Sequence, residues 1–423
     1  MAPRMSPGKP RNRWTIAVLL GIGVLVNYFD RVNLTVSHDA LRAEFGINDI
    51  TFGFLLGAYN WTYAMLQLPS GVLLDRFGVR AVGCVSTLVW SIASFAAALS
   101  RNISAFFGAR FLLGIGEAPT FPANAKAIGY WFPPEQRSLA TGFFDGAAKF
   151  SSAIGVPLIG LLLLRVGWRM SFAATGLVSF LYFVLFCVVY HDPAHKFSDI
   201  HAGPGHIGAR RASLGYLLRQ PKVLGLAIGF GSYNYVFYLL LTWMPVYLSR
   251  ALHINLAASF LYTGVPWLIA TFGDLFVGGL LVDTLIHRGW NANRVRTTIL
   301  IGGTAMGLGI LGAAHAHTPS QALFWLSVSI GGLSAAAPVG WSVPSLIAPG
   351  DSVGSVGGIL NLSNQISGIA APVITGFLVN GRQSFAAAFF VAAGYLIIGI
   401  AAYIVLLGEI KTIPMPAHTL PAN

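Results

Sequence analysis

An acid and a base stand side by side in the otherwise apolar stretch VLVNYFDRVNLTVS, residues 24–37: Asp30 and Arg31. Further charges interrupt later apolar runs. Arg110 and Glu117 lie seven residues apart in GARFLLGIGEAPTFP, and Lys149 follows Asp145 by four in TGFFDGAAKF. Asp274 stands alone in another. A carboxyl in dry surroundings binds a proton near neutral pH. A guanidinium holds a carboxylate through two parallel hydrogen bonds. These residue types point to proton uptake and anion binding. The ten histidines sit mostly in loops without metal-ligand spacing, and no phosphate-cradling loop is present. Neither a metal, a cofactor nor ATP hydrolysis is expected, and the chain does not read as an enzyme.

The elements that position these charges follow from composition. Of 423 residues, 55% are hydrophobic and 9% charged, with a mean hydropathy of +0.69. Soluble domains carry about 25% charged residues. Apolar runs of about 20 residues cross a bilayer as helices, which satisfy their own backbone hydrogen bonds. Twelve runs are long enough: 14–37, 50–74, 79–99, 103–130, 138–161, 168–190, 220–249, 256–284, 296–314, 320–347, 353–378 and 384–407. The first is too long for a signal-peptide core and is expected to be retained. Cys84 and Cys187 lie inside apolar runs, so no disulfide framework is implied.

The fold class expected is an all-α membrane protein of twelve transmembrane helices in two pseudo-symmetric six-helix halves. The polar stretch 191–219 links the halves, 14–190 and 220–407, and short tails cover 1–13 and 408–423. GVLLDRFGVR (71–80) and GLLVDTLIHRG (279–289) follow the second span of each half, with Asp75 and Asp283 in matching places. Such an internal repeat suggests duplication. Of the 26 Lys and Arg, 17 fall on the side of the termini, six on the other, and three (Arg31, Arg110, Lys149) within spans. That split predicts cytoplasmic termini. The net charge of +12 is then topology and headgroup attraction, and needs no nucleic-acid partner.

GVLLDRFGVR resembles the loop 2–3 signature of the major facilitator superfamily. NYFDRVNLTVS, YNWTYAMLQLPSGVLLDRFGVR, GARFLLGIGEAPTFPANAKAIGYWFPPEQRSLATGFF and VGWRMSFAATG resemble its anion:cation symporter family, and within it the bacterial D-galactonate and hexuronate carriers and the sialin type. The resemblance implies a rocker-switch importer of organic anions, commonly coupled to protons. It matches Arg31 with a carboxylate-binding arginine and Glu117 with an acid implicated in proton coupling.

Intramembrane charges are costly, about 2.5–3.5 kcal/mol each on insertion scales, and are functional candidates for that reason. At about 1.5 Å per residue, Asp30 and Arg110 fall at similar depth, so an Asp30–Arg110 pair is expected, either titrating or as a static tie. Glu117 lies near mid-membrane, where it either binds a proton or stays hydrogen-bonded in the packing. Arg31 points about 100° away from Asp30 and should face a cavity. Lys149 either pairs with Asp145 one turn below or offers a second cation, which would favour a dianion. Asp274 appears unpaired. Amides and phenols suit a polyhydroxylated ligand: Tyr59, Tyr63 and Gln67 in the second span, Tyr233, Asn234 and Tyr238 in the seventh, and Asn361, Asn364 and Gln365 in the eleventh. Those of the eleventh read equally as interhelical bonds. Trp341 either stacks on a sugar ring or packs at its proline bend. Asp75, Arg76, Arg80 and Asp283 are candidate gating residues at the inner seam. The function expected is import of a small organic anion, a hexonate, hexuronate or aldarate, with protons, by a monomer in a bacterial cytoplasmic membrane. Exchange or uniport of aromatic or dicarboxylic acids without protons, and a non-transporting receptor, are the alternatives.

Overall fold

The structure, a computed structural model, describes residues 11–132, 137–193, 212–349, 352–381 and 384–415. It is helical throughout these residues, and the twelve expected runs are its twelve spans. Span 1 is Arg11–Val36. Spans 2 and 3 come from Asp49–Met65 and Gln67–Ala98, and the second of these helices breaks at Gly78. Span 4 comprises Ile103–Glu117 and Thr120–Trp131, interrupted at Ala118 and Pro119. Spans 5 and 6 form Arg137–Val189, broken at Gly167. Span 7 is Pro221–Ala251. Span 8 runs from Leu256–Phe272 through a π-helical stretch, Gly273–Leu281, into Val282–His287. Span 9 is Ala292–Met306 continued by Ile310–Ala314, span 10 Pro319–Ile347, span 11 Val353–Val379, and span 12 Ala386–Ala402 extended to Leu407.

Among the described residues nine helices meet a strict length and hydropathy criterion for crossing a membrane. One of them, Phe144–Val189, has 46 residues, about 69 Å at 1.5 Å per residue, and crosses twice. Spans 2 and 4 escape that criterion because each is interrupted.

Local chemistry sets the ends. Asn48, Asn102, Asn255 and Asn291 accept from the backbone N–H three residues on, capping spans 2, 4, 8 and 9. Gly78 and Gly167 share one backbone conformation, with φ of 80° and 79°, which favours glycine. Each turns the chain from one span to the next, and each is followed two residues on by an arginine that ties the turn down. Arg80 donates to the carbonyl of Cys187 at 3.3 Å. Arg169 donates to those of Ala98 and Ser100 at 3.3 and 2.7 Å.

The first half is built by span 1 packing on spans 5 and 6, with span 3 against spans 4 and 6. Spans 2 and 5 face the second half, meeting spans 11 and 8. Both seams are close because glycine lines them. A Cβ added at Gly53 would stand 2.7 Å from the Pro372 carbonyl, and one at Gly264 2.5 Å from that of Ala153. Val188, Leu164, Ile397 and Val405 remain exposed, the apolar surface that a lipid-facing bundle needs.

The sulfurs of Cys84 in span 3 and Cys187 in span 6 pair as a disulfide, with Cα atoms 5.7 Å apart. The absence of an implied framework is corrected here: helix packing brings together two positions that sequence alone leaves unrelated. The linker expected at 191–219 lies largely outside the described residues, as do the outermost parts of both tails.

Overpacking a tight seam costs about 1–3 kcal/mol. Gly53→Ala and Gly264→Ala should therefore lower the melting temperature of the detergent-solubilised protein. Gly394→Ala, with nothing within 4 Å of the added carbon, should leave it unchanged. Equal melting of all three would contradict the seam.

Candidate functional site

Successive residues of span 1 point to different neighbours, and this separates the two charges of the opening motif. Asp30 faces spans 3 and 6. Its carboxylate accepts from Ser94 Oγ and Ser179 Oγ, each at 2.8 Å. Asn33, three residues on, continues that face and bonds Ser171 and Thr175 of span 6. The expected Asp30–Arg110 ion pair does not form. Arg110 instead donates to the backbone carbonyl of Asp30 at 3.4 Å. Depth arithmetic placed the two residues at one level, but two serine hydroxyls reach the carboxylate directly and satisfy it.

Arg31 faces the opposite way. Its Nε donates to Glu117 Oε2 at 3.0 Å, with Nη2 2.9 Å from the same oxygen. The guanidinium carbon lies over the rings of Tyr28 and Tyr59, each at 4.6 Å, and of Tyr63 at 5.6 Å. Such a cage stabilises a cation through the ring quadrupoles. Glu117 is fully buried, and its Oε1 has no hydrogen-bond partner among the described residues. Arg31 does line a small cavity, with Thr35, Tyr59 and Asn60 on one side and Tyr238 and Thr242 of span 7 on the other. The expectation of a free arginine is corrected to one already engaged by Glu117. The break at Ala118 and Pro119 ends the helix at Glu117 and frees its side chain to turn to span 1.

Lys149 sits between two acids. Its Nζ is 2.9 Å from Asp145 Oδ2 on its own helix and 2.5 Å from Asp274 Oδ2 on span 8. Asp274 is therefore not the unpaired acid that its isolation in sequence suggests. Its partner comes from the other half of the molecule, which spacing along the chain does not reveal.

The uncharged candidates divide between bonding and packing. Asn234 donates to Asn364 Oδ1 at 2.7 Å, and Asn361 donates to Gln67 Oε1 at 3.4 Å across the halves. Gln365 is buried with Oε1 unpartnered among the described residues. Trp341 packs edge-on against Phe230, ring centroids 5.2 Å apart. Arg76 and Arg80 are exposed, and Arg80 binds within its own half. The side chains of Asp75 and Asp283 lie outside those described.

This geometry can be set beside known proteins. The chain matches the Major Facilitator Superfamily over residues 20–372. The chain belongs to that superfamily. It is 37% identical to the uncharacterized transporter YybO of Bacillus subtilis (strain 168), over 95% of this chain and 96% of that one. It is 29% identical to the probable galactarate/D-glucarate transporter GarP of Escherichia coli (strain K12), over 94% and 95%. A D-galactonate transporter of Escherichia coli O6:H1 is 28% identical, over 97% and 99%. Among solved structures, the inward-facing, unoccupied bacterial homologue of the human lysosomal transporter Spinster superposes with a TM-score of 0.77. That pair is 18% identical and covers 95% of this chain and 98% of that one. The D-xylose-proton symporter gives 0.75 at 15% identity, covering 95% and 100%. These superpositions establish the fold, and the superfamily makes the chain a transporter rather than an enzyme.

One cluster of this superfamily member escaped sequence reasoning. On the face opposite the termini, Arg250 at the end of span 7 grips Asp49 at the start of span 2. Its Nη1 is 3.0 Å from both Asp49 oxygens, and its Nη2 is 3.1 Å from Oδ1. His38 stands between Asp39 and Asp49, at 2.6 and 3.1 Å. Arg42 adds a contact to Asp49 at 3.3 Å. The hydrogen bond from His38 holds the Asp39 carboxyl below its ordinary value. That contribution is present above the usual aspartate pKa, about 3.9, and is lost as pH falls below it. These residues lie at ends of spans, where charge is expected, so nothing in the sequence marked them.

Arg250 joins the two halves through a buried carboxylate, and removing one partner of such a pair costs about 3–5 kcal/mol. Arg250→Ala should let an impermeant thiol reagent reach a cysteine introduced at Thr242, in a background lacking Cys84 and Cys187. The exchange Arg250→Asp with Asp49→Arg should restore protection. Equal labelling with and without Arg250 would contradict the latch.

Proposed function

We propose that the chain imports an organic anion of the sugar-acid class, a hexonate, hexuronate or aldarate, in symport with protons. The Arg31–Glu117 pair carries this reading. The pair is buried, and its Arg31 is caged by three tyrosines and lines the cavity between the halves. An entering carboxylate competes with Glu117 for the guanidinium. A displaced Glu117 loses its hydrogen-bonded cation and, among the described residues, keeps only Arg110 in its vicinity, whose head is on the Asp30 carbonyl. A buried carboxylate without a bonded counter-charge is neutralised by taking a proton. Anion and proton thus arrive together, and neither alone leaves the site balanced. Asp30, beside Arg31 on span 1, keeps its two serine partners and stands outside this one-anion, one-proton exchange. The tyrosines, Gln67, Asn234 and the amides of span 11 supply donors and acceptors for the hydroxyl groups of such a ligand. The names of GarP and of the D-galactonate transporter agree with this class.

Alternating access follows as rocking of one half on the other. The Asp49–Arg250 latch closes one side, and the loop of Asp75, Arg76 and Arg80 with Asp283 acts at the other. The 17 to 6 excess of Lys and Arg on the side of the termini supports a cytoplasmic position for that side in a bacterial membrane, and the carrier works in this reading as a monomer.

In proteoliposomes an imposed inward proton gradient should drive sugar-acid accumulation. Arg31→Ala should abolish it by at least a hundredfold. Glu117→Gln should depress gradient-driven accumulation at least tenfold more than anion exchange. Uptake indifferent to the gradient would mark an exchanger, and ligand binding without uptake a receptor.

A further inference from the structure

The structure holds a second cation that the Arg31–Glu117 exchange does not use. Lys149 is buried and clamped between Asp145 and Asp274. Its bond to Asp274 crosses from span 5 to span 8, between the halves. Asp274 opens a π-helical stretch, Gly273–Leu281, within an otherwise α-helical span, a deviation frequent at functional sites. Tyr28 is a neighbour that the two cations share. Tyr28 underlies the Arg31 guanidinium at 4.6 Å, and its phenol lies within electrostatic reach of both Arg31 and Lys149. Each cation is paired with a buried acid: Glu117 on Arg31, with Arg110 as its only other cationic neighbour among the described residues, and Asp274 on Lys149.

We propose that Lys149 and Asp274 form a second carboxylate subsite, so that the carrier selects sugar dicarboxylates and moves each dianion with two protons. The proposal rests on the import reading above and deepens it. One substrate carboxylate takes the place of Glu117 on Arg31, and the other takes the place of Asp274 on Lys149. Asp145 stays with Lys149, one helical turn away and part-exposed. Glu117 and Asp274 are then buried acids that have lost their bonded cations, and each binds a proton from the side that the substrate entered. Two negative charges and two protons cross together, and no net charge moves. A monocarboxylate fills the Arg31 subsite alone, leaves the Lys149–Asp274 bond intact, and carries one proton.

The surroundings of Asp274 allow this. Lys149 and Asp145 face it from span 5, and Tyr233 from span 7. Span 10 brings uncharged residues to this stretch: the carbonyls of Gly331 and Ala335 lie against Gly273 and Gly278, with Pro338 also beside Gly278. A released Asp274 finds no replacement cation among the described residues. Breaking its bond to Lys149 also removes a tie between the halves, so the second carboxylate both fills the subsite and loosens the seam.

The test uses the full-length protein in proteoliposomes with D-glucarate as the dicarboxylate and D-gluconate as the monocarboxylate. In Lys149→Gln the glucarate-to-gluconate ratio of kcat/KM should fall at least tenfold. The double variant Lys149→Gln/Asp274→Asn removes both charges and should show the same fall without leaving an unpaired buried acid, which guards against misfolding. Wild-type glucarate uptake should ignore an imposed membrane potential. Asp274→Asn should make it slow at least threefold when the interior is made negative. An unchanged ratio in the double variant overturns the subsite even when both anions accumulate. Failure of wild type to accumulate either anion overturns the import reading, and the subsite with it.

Discussion

The constraint on which everything else depends is the cost of charge in hydrocarbon. An ion taken from water into a low-dielectric interior loses solvation that only a close, well-oriented counter-charge restores. The described spans hold Asp30, Arg31, Arg110, Glu117, Asp145, Lys149 and Asp274, and all but Arg110, which reaches only a backbone carbonyl, bond a polar or oppositely charged side chain. Two serines and the Arg110 side chain surround Asp30. Glu117 and three aromatic rings answer Arg31. Two acids answer Lys149. Because each balance is local, an anion entering as proposed upsets it, and a proton is the smallest species that restores it. Coupling then needs no relay of moving parts between distant sites.

The fold supplies the close approach that this requires. Span 1 presents Asp30 and Arg31 to opposite neighbours simply because adjacent helical residues diverge. The interruption of span 4 at Ala118 and Pro119 leaves Glu117 at a helix end, where its side chain reaches Arg31. Glycines at the spans 2–11 and 5–8 seams let the halves meet at backbone contact, which is why Lys149 and Asp274 can bond across them. On the face away from the termini, Arg250 and Asp49 close the same seam with a bidentate ion pair. These two ion pairs between the halves differ in kind. The Asp49–Arg250 latch sits at span ends on the face away from the termini, and the Lys149–Asp274 pair lies within the spans.

Much of this was legible in the sequence. Twelve apolar runs gave the spans with boundaries close to those observed, because hydropathy is a property of segments. Buried charges announced themselves for the same reason: a lone Arg31 or Glu117 in an apolar run has few explanations. Pairing was harder. Depth arithmetic set Asp30 beside Arg110, yet serine hydroxyls, too common in helices to stand out, hold the carboxylate. Asp274 looked unpaired because its partner is 125 residues away on another half. Cys84 and Cys187 are separated by 103 residues. The Asp49–Arg250 latch was invisible because charges at span ends are expected and carry no signal. What the sequence could not supply was therefore the angular and tertiary information that decides which neighbour each side chain meets.

The central claim is that an anion replaces Glu117 on Arg31 and that Glu117 then takes up a proton. Calorimetric titration of the purified protein with D-gluconate, repeated in buffers of differing ionisation enthalpy, counts protons bound per anion. The account predicts uptake of about one proton per gluconate near neutral pH, abolished in Glu117→Gln. Binding with no proton uptake by the wild-type protein, or uptake that persists in Glu117→Gln, would contradict it.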